Sequence, residues 1–576
     1  MISKSILDLR FKGKIDSDLN PLFNQIALDL RCDFNELITE ISKPNKNNID
    51  WWVQDFCSRN TYSSPFFFYY CSIYLVNQLI TDGKYKFEKI LVDTKEIKKI
   101  IESVINQQDI YYCKIEIDTN KKKLLKRIIG NVHILFYNSL KWFISKLSKR
   151  GNTIKLNHDK SITLIDTFAI PGYTDSKRWY GSFWENLPGQ EKTKTFFVPT
   201  LTKTSLTNLF SVYREIRLNK ENNIVKEDYI NFNDLFFAFN YKKRLHSLII
   251  KDVKILEYSI KGLIEEFLLN PSDIYTLHES LLTYRFILRL SQKKIKVRLA
   301  IDWFEGQIID KAWNAGFNNF YPKTKTISYR AIQNFPLYLC SYPIPIEKES
   351  GVISNVFAVS GSASENHVKE FIKDLKTIII PSYKSDYVWG KKKNPNSKRK
   401  DVLVTLPLSF DASKAIISLI IDVISSQYLK NNSINFIIKP HPTRTESQIR
   451  NKLKIPFPSN IKFTNIKSFS DSINSSKLLI TEASSTCLEA IAIGIPVIII
   501  KRKDGLYYNP IPNDIDESLY RECTTTLELA NSLNYYTQLN FDEIEKIEKN
   551  SLMVRKMYFK PVTQKGTNRL MDIKIG

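Results

Sequence analysis

The sequence predicts an α/β protein with two domains, each a parallel sheet covered by helices. The domains face each other across a cleft, with helical additions in the N-terminal half. Residues 478–480 and 497–500 are short runs of Leu, Ile and Val, which is typical of strands buried on both faces. Between them residues 485–492 have a helical pattern, and Gly494 stands where a helix would end. Strand, loop, helix and strand follow one another as in a parallel α/β unit.

Other apolar runs that end in polar loops predict the remaining strands. In chain order they are residues 89–93, 161–168, 196–201, 297–307, 326–330, 357–361, 378–383, 402–407 and 434–439. Residues 66–80 predict a core helix, and residues 206–290 are predicted to be largely helical. Residues 391–400 are polar and basic and contain Pro395, which indicates a linker. We therefore predict an N-terminal domain of residues 1–390 and a C-terminal domain of residues 391–576.

The composition describes a globular protein with an unusual charge. The chain has 576 residues, of which 43% are hydrophobic and 25% charged, and its net charge is +24. Such a charge favours an anionic partner, which could be a membrane face, a nucleotide-linked donor, an acidic glycan or nucleic acid. Seven scattered cysteines without a CxxC pair argue against a disulfide framework or a zinc site and suit a reducing compartment.

The expected location follows from two further patterns. The first ten residues lack the core of a signal peptide, and no uninterrupted apolar run reaches the roughly 18 residues of a spanning helix. We therefore expect a cytoplasmic protein that is able to rest on the inner face of the cell membrane.

Residues 121–150 form a basic amphipathic segment. Apolar residues recur at helical spacing from Leu124 to Leu147, and Lys and Arg crowd both ends and the flanks. Such a segment can lie in an anionic membrane surface. The alternative is a helical hairpin packed on the domain with a solvated basic face.

Two polar tips follow strands of the C-terminal half. One is Lys-Pro-His-Pro at residues 439–442, and the other covers residues 481–486. Open parallel sheets bind ligands beyond the carboxyl ends of their strands. Ser484, Ser485 and Thr486 stand at a helix start, where backbone N–H groups and the helix dipole favour an anion. Lys439 and His441 on the neighbouring tip would complete a phosphate site, although each residue also suits an ordinary cap or loop role.

These residues carry a resemblance to a known family. Lys-Pro-His-Pro, then Thr-Glu-Ala-Ser-Ser and Leu-Glu-Ala-Ile-Ala-Ile-Gly-Ile-Pro-Val at residues 488–497, resemble the nucleotide half of bacterial GT-B glycosyltransferases of surface polysaccharide synthesis. They are most similar to the capsule Kdo and sialic acid transferases and to teichoic acid glycerophosphotransferases. The resemblance covers about residues 400–510. It implies a GT-B-like fold with two Rossmann-like domains, an acceptor side in the N-terminal domain, and a terminal helix near residues 557–571 that crosses back to the first domain.

The resemblance also implies the donor site. His441, Ser484 and Ser485 stand where the family contacts the donor phosphate, and Lys439 and Thr486 join them on electrostatic grounds. We expect Glu489 either to order the donor domain or to bind ribose hydroxyls. No Asp-x-Asp motif stands at a strand end, so we predict no obligatory metal and no cofactor beyond the donor substrate.

A carboxylate from the facing domain is needed to activate the acceptor hydroxyl. Glu305 is the first candidate because it follows a strand of the acceptor half, and Asp302 and Asp166 come next as carboxylates of predicted strand ends. Each of the three also suits a helix cap or an ion pair. The related enzymes carry a Gly-x-x-His element after a later strand, whereas residues 329–332 contain no His, so a base role for this loop stays open.

The sequence therefore predicts a glycosyltransferase that uses a nucleotide-sugar donor, with CMP-linked sugars among the candidates. The expected acceptor is a glycan or lipid-linked glycan of a surface polysaccharide or lipopolysaccharide, such as O-antigen or capsule. One alternative is a transferase of CDP-linked polyol phosphate, and another is a non-catalytic, basic, membrane-associated scaffold. Nucleic acid is a less favoured partner, because the aromatic residues cluster in apolar runs and are not interleaved with basic ones.

Overall fold

The computed structural model describes residues 2–106, 114–117, 122–149, 159–202, 204–331, 335–390, 401–430, 434–466 and 468–572. These residues form three parallel sheets and one short hairpin. The predicted linker at residues 391–400, and with it the predicted domain boundary, lies outside the described residues.

The first sheet belongs to an N-terminal unit. Its strands pair in parallel in the order β1-β2-β3: β1 (Ile2–Asp8), β2 (Tyr85–Val92) and β3 (Lys114–Ile117). Its helices are α1 (Asn20–Asp29), α2 (Arg31–Ser42), α3 (Ile49–Trp52), α4 (Asp55–Ser58), α5 (Phe66–Asp82) and α6 (Lys95–Asn106). The predicted core helix is confirmed as α5, which ends at Gly83 with a positive φ of 59°. The separate three-stranded sheet was not predicted.

The basic amphipathic segment folds as one helix, α7 (Lys122–Leu147), and not as a hairpin. Its inner face contacts the 3-10 turn at Lys226–Asp228, and its flanks contact two helices of the next domain. Residues 121 and 150 of the predicted segment lie outside the described residues.

The second sheet is six-stranded and parallel, in the order β11-β10-β9-β8-β4-β5. Its strands are β4 (Ile162–Ala169), β5 (Thr195–Leu201), β8 (Val297–Trp303), β9 (Lys325–Arg330), β10 (Val356–Val359) and β11 (Thr377–Ile379). Between β5 and β8 a hairpin of β6 (Lys254–Ile255) and β7 (Tyr258–Ser259) stands among helices.

The helices of this half include the predicted helical additions. They are α8 (Lys177–Tyr180), α9 (Gly189–Lys192), α10 (Leu209–Leu218), α11 (Phe232–Phe239), α12 (Tyr241–Arg244), α13 (Lys261–Leu269), α14 (Ile274–Gln292), α15 (Ile308–Phe320), α16 (Pro345–Glu349) and α17 (Ser362–Val368).

The third sheet is also six-stranded and parallel, in the order β14-β13-β12-β15-β16-β17. Its strands are β12 (Asp401–Thr405), β13 (Phe436–Lys439), β14 (Ile461–Phe463), β15 (Ser476–Thr481), β16 (Val497–Ile500) and β17 (Tyr520–Cys523). Its helices are α18 (Phe410–Ile424), α19 (Glu446–Leu453), α20 (Phe469–Asn474), α21 (Thr486–Ala492), α22 (Thr526–Thr537), α23 (Phe541–Tyr558) and α24 (Gln564–Leu570).

The chain end crosses from the third sheet back to the second. Helix α23 packs on α21, and after a break α24 contacts β11. Leu570 and Met571 are buried in the core of the second sheet, and the Tyr383 hydroxyl donates a hydrogen bond of 2.9 Å to the Thr567 hydroxyl. The two parallel α/β domains joined by this crossing have the predicted GT-B-like architecture, with the N-terminal unit and α7 as additions.

Candidate active site

The two polar tips lie at the same edge of the C-terminal sheet, with β12 between them. Lys439 on β13 pairs with Thr405 on β12, and Ile480 on β15 pairs with Val404 on β12. The Thr481 hydroxyl donates to the Thr405 carbonyl at 3.3 Å. Because neighbouring strands are about 4.8 Å apart, the tips are separated by roughly 10 Å. This spacing suits a ligand with extended phosphate groups.

His441 stands half-buried at the tip of β13. Its Nδ1 accepts a hydrogen bond from the Thr443 backbone N–H at 3.3 Å and lies 2.9 Å from the Thr443 hydroxyl. Since an N–H group donates to Nδ1, the neutral ring carries its proton on Nε2. The turn therefore sets the tautomer of an imidazole whose other nitrogen is a donor.

Lys439 is buried at the end of β13, with 8% of its surface exposed. Its ammonium group donates to the Ile466 carbonyl. Burial lowers the pKa of Lys439, while Asp471 acts in the opposite direction. In this arrangement the side chain ties the tip to the loop before α20.

The second tip forms a local hydrogen-bonded turn at the start of α21. The Ser484 hydroxyl accepts from the Thr486 backbone N–H at 3.3 Å and lies 2.8 Å from the Thr486 hydroxyl. Ser485 occupies the N-cap position without capping the helix through its side chain. Ser484, Ser485 and Thr486 are all partly exposed, so three hydroxyls stand together at the sheet edge.

Glu489, one turn into α21, connects the two halves of the molecule. Its carboxylate accepts hydrogen bonds from the Ser385 hydroxyl at 3.1 Å and from the Tyr387 hydroxyl at 2.5 Å. Both partners belong to the segment that follows the last strand of the second sheet. This contact joins α21 to that segment, and both expectations for Glu489 stay predictions.

Glu305 follows β8 in the N-terminal half and is half-buried. Its carboxylate accepts from the Trp303 indole N–H at 2.8 Å, and its backbone N–H donates to Asp310 at 2.9 Å. Gly306 has a φ of 73°, and its Cα faces the Cys340 carbonyl. A tight turn therefore holds this carboxylate beyond the end of its strand.

Asp302 lies inside β8 and is fully buried. It accepts hydrogen bonds from Ser328 and Ser354 at 3.0 Å each and from Asn314 at 3.3 Å. Burial raises the pKa of Asp302 to about 7, although these donors oppose the shift. Three donors from neighbouring elements hold the carboxyl in the interior of the sheet.

The expectation that Asp166 ends its strand was wrong. Strand β4 continues to Ala169, and Asp166 pairs with Val198 in its middle. The side chain is 2% exposed, and burial raises its pKa far above the usual range despite the nearby Lys226. The predicted strand at residues 161–168 already extended past this carboxylate, and the error was to place Asp166 at its end. Strand β4 lies inside the sheet between β8 and β5, so its apolar residues continue to Ala169.

Sequence reasoning missed Glu482 and the cavity beside it. Glu482 directly follows β15 and lines a cavity of about 690 Å³. On the opposite side, Tyr62 stacks on Tyr508 with ring centroids 3.9 Å apart and lies 5.3 Å from Tyr338. Tyr338 accepts a hydrogen bond of 2.9 Å from Gln307, two residues after Glu305. A row of tyrosines thus links the tip of β8 to the edge of the C-terminal sheet.

In the described parts of the chain, no three His, Cys, Asp or Glu side chains cluster in a way that could hold a metal ion. The six described cysteines are all unpaired. The guanidinium of Arg59 is buried against Glu347 and two backbone carbonyls. No helix in the described residues combines the length and the apolar composition needed to cross a membrane.

Comparison with known proteins identifies no family. No family model matches the chain, and no curated protein matches it. Among solved structures, MnaA of S. aureus with UDP aligns at 10% identity and a TM-score of 0.41, covering 71% of this chain and 95% of that chain. MurG of Acinetobacter baumannii aligns at 11% identity and a TM-score of 0.37, covering 72% of this chain and 99% of that chain. The wall teichoic acid polymerase TagF aligns at 9% identity and a TM-score of 0.38, covering 78% of this chain and 96% of that chain. These values carry no argument about function, and the fold class rests on the sheets themselves.

Proposed function

We propose that this protein is a glycosyltransferase that moves a sugar from a nucleotide-activated donor to a glycan acceptor. The proposal depends chiefly on one observation, which is that the His441 tip and the Ser484–Thr486 helix start share one edge of the C-terminal sheet, roughly two strand spacings apart. This edge is where open parallel sheets bind their ligands.

The C-terminal tips would stabilise the leaving phosphate. His441 has its Nδ1 occupied as an acceptor, so the proton of the neutral ring is on Nε2, the atom that would donate to a phosphate oxygen. The three hydroxyls at residues 484–486 and the backbone N–H groups of the helix start would bind the remaining oxygens. Donors placed in advance at developing charge lower the barrier without reorganisation.

Glu305 would activate the acceptor hydroxyl from the other domain. It follows the strand β8, is partly exposed, and its single indole donor leaves lone pairs for an acceptor. Asp302 and Asp166 remain the other candidates from the sequence, but both are buried inside their strands. The surface-polysaccharide acceptor and the CMP-linked donor stay part of the proposal through the sequence resemblance.

The test is donor binding followed by transfer in a His441→Ala variant. Thermal shifts with CMP-, CDP- and UDP-linked sugars and with a CDP-linked polyol phosphate identify the donor class, and release of the nucleotide measures turnover. We expect one donor to stabilise the protein, and His441→Ala to lower kcat by about 10²–10³ with nearly unchanged Tm.

The control is His246→Ala, because His246 is an exposed histidine far along the chain from both tips. Full turnover in His441→Ala would remove the imidazole from the mechanism. A rise in melting temperature with the CDP-linked polyol phosphate alone would reject the sugar transferase and support the polyol-phosphate transferase. No shift with any nucleotide would reject the proposal and favour the scaffold.

We further propose that the outer face of α7, α10 and α11 contacts an anionic membrane. On α7, Val132, Phe136 and Phe143 are 65%, 57% and 53% exposed, and Phe210 and Phe232 on the flanking helices are 47% and 49% exposed. From residue 119 to residue 158 the sequence contains Lys and Arg but no Asp or Glu. Exposed phenylalanines beside a segment of this charge suit a lipid surface more than a second copy of an equally basic chain.

Sedimentation with phosphatidylcholine vesicles, with and without phosphatidylglycerol, tests this face. We expect binding only with the anionic lipid and its loss in Phe136→Ser/Phe143→Ser. Phe541→Ser is the control, because Phe541 is 78% exposed on a different helix. Unchanged vesicle binding in the double variant would contradict the proposed membrane face. If the protein is a dimer that becomes monomeric in the double variant, the face binds a second copy of the chain and not a membrane.

A further inference from the structure

Two basic loops from opposite ends of the sequence border the same cavity. One is residues 10–14, Arg-Phe-Lys-Gly-Lys, which follows β1, and the other is residues 501–505, Lys-Arg-Lys-Asp-Gly, which follows β16. Both line the cavity of about 690 Å³ that Glu482 also lines. None of the residues placed at the donor phosphate borders this cavity.

The loop at residues 501–505 is held against the N-terminal unit by one backbone hydrogen bond and by the side chains of Asn20 and Asn24. Ile15 N–H donates to the Asp504 carbonyl at 3.2 Å, and Asn24 donates to the Gly505 carbonyl at 3.0 Å and accepts from the Tyr507 N–H at 2.7 Å. Asn20 donates to the Arg502 carbonyl at 3.3 Å. The cavity wall is therefore built before any ligand arrives, which is typical of small-ligand sites.

The charges of the cavity are divided between its walls. The two loops carry Lys12, Lys14 and Lys503 together with Asp504, which lies 3.8 Å from Lys14, whereas helix α18 contributes Asp411 and Asp422. Arg502 is paired with Asp504 at 2.8 Å. A ligand with one anionic end and one end rich in hydroxyl groups matches this division.

Tyr62 supplies an aromatic surface for such a ligand. Its ring is stacked on Tyr508 with an interplanar angle of 19°, and the side chain remains 48% exposed at the cavity. A half-exposed ring fixed by stacking presents a rigid apolar surface of the kind that packs against the carbon face of a pyranose.

Glu482 brings a half-buried carboxylate to this cavity. Its carboxylate accepts no hydrogen bond from the described residues, although it is partly buried. Burial raises its pKa, with Arg502 opposing and Asp504 reinforcing the shift. A carboxylate that lines the cavity without an internal donor can accept hydrogen bonds from the hydroxyl groups of a ligand.

We propose that this cavity binds a saccharide that bears a carboxylate or phosphate group. In this arrangement the sugar ring stacks on Tyr62, its hydroxyls donate to Glu482, and its anionic group meets Lys12 and Lys503. The inference rests on the proposed function, in which this saccharide is part of the acceptor and the tyrosine row leads from it toward Glu305.

Calorimetric titration of the full chain tests the site with three probes: trigalacturonic acid for carboxylate, glucose 6-phosphate for phosphate, and maltotriose as the neutral control. We expect an anionic probe to bind and maltotriose to bind at least about tenfold more weakly. Lys12→Glu/Lys503→Glu should abolish the anionic preference, and Glu482→Gln should weaken both anionic and neutral probes several-fold.

Lys549→Glu/Lys565→Glu is the matched control, since both lysines are exposed on α23 and α24, away from the cavity, and the net charge changes equally. Equal binding of anionic and neutral probes, or anionic binding that survives in Lys12→Glu/Lys503→Glu, would overturn the proposal. The thermal shift with the nucleotide donor is measured in the same variants. If the nucleotide donor still raises the melting temperature while no saccharide binds, the saccharide site is rejected and the proposed transferase function is retained. If the saccharide binds while no donor raises the melting temperature, the transferase function is rejected and the saccharide site is retained.

Discussion

Gly306→Ala is the sharpest test of how the fold positions Glu305. A Cβ added at Gly306 would lie 1.8 Å from the Cys340 carbonyl oxygen and 3.1 Å from the Cys340 Cβ, so the two loops would have to separate by more than about 1 Å. The positive φ of 73° adds a conformational cost of about 1–2 kcal/mol, and overpacking adds about 1–3 kcal/mol. We expect the free energy of unfolding to fall by about 2–5 kcal/mol.

Gly172→Ala separates the two contributions. Gly172 also has a positive φ, 83°, but a Cβ there would meet nothing within 4 Å, so we expect a loss of only about 1–2 kcal/mol. Urea unfolding followed by circular dichroism gives both values. Gly306→Ala should also lower kcat by about 10²-fold because Glu305 moves, while the donor thermal shift persists. Equal stability losses in the two variants, with normal turnover, would refute the assignment of this turn to the acceptor side.

Two further predictions concern buried carboxylates. Glu279 accepts from Lys141 at 2.6 Å and Lys226 at 2.5 Å, and despite burial these lysines lower its pKa to about 2. Its ionised form therefore stabilises the fold above about pH 4.5, and this stability is lost as the pH falls toward 2. Glu279→Gln should cost about 3–5 kcal/mol at pH 7, and urea titrations should show the difference shrinking below pH 4; a pH-independent difference contradicts the pairing. Tyr387→Phe and Glu489→Gln should each lower the free energy of unfolding by about 1–3 kcal/mol and leave the donor affinity unchanged. Weaker donor binding in Glu489→Gln alone would instead assign Glu489 to the ribose hydroxyls.

Strands and their tips in the C-terminal half were predictable from sequence because parallel strands buried on both faces leave continuous apolar runs. Residues 497–500 match β16, and the helix predicted at 485–492 is α21 (Thr486–Ala492). The edge strands β14 and β17 were not predicted. Both are short, three and four residues, and edge strands are less apolar, so their pattern resembles that of loops.

The candidate site was harder to predict, because burial and strand length decide which carboxylate lies beyond the end of its strand. Asp166 and Glu305 both follow apolar residues in sequence, yet Asp166 lies inside a central strand and Glu305 beyond the end of one. Glu482 belongs to the Thr-Glu-Ala-Ser-Ser motif at residues 481–485, in which roles were predicted only for the serines. Its distinguishing feature is its place in the cavity, which depends on the loops at residues 10–14 and 501–505 and therefore on contacts distant in sequence.

The same long-range contacts constrain how the cleft can open. The N-terminal unit bonds to the backbone of residues 502–507, and α24 ties the chain end to the second sheet. A rotation of the C-terminal sheet away from Glu305 would break the hydrogen bonds of Asn24 with Gly505 and Tyr507, or would separate the stacked rings of Tyr62 and Tyr508. The N-terminal unit must therefore either move with the C-terminal sheet or release it, and it shares a core with the second sheet through α15. Opening of the cleft thus requires the loss of these hydrogen bonds and of the stacked tyrosine pair around the cavity that Glu482 lines. The cavity therefore lies where the N-terminal unit contacts the C-terminal sheet.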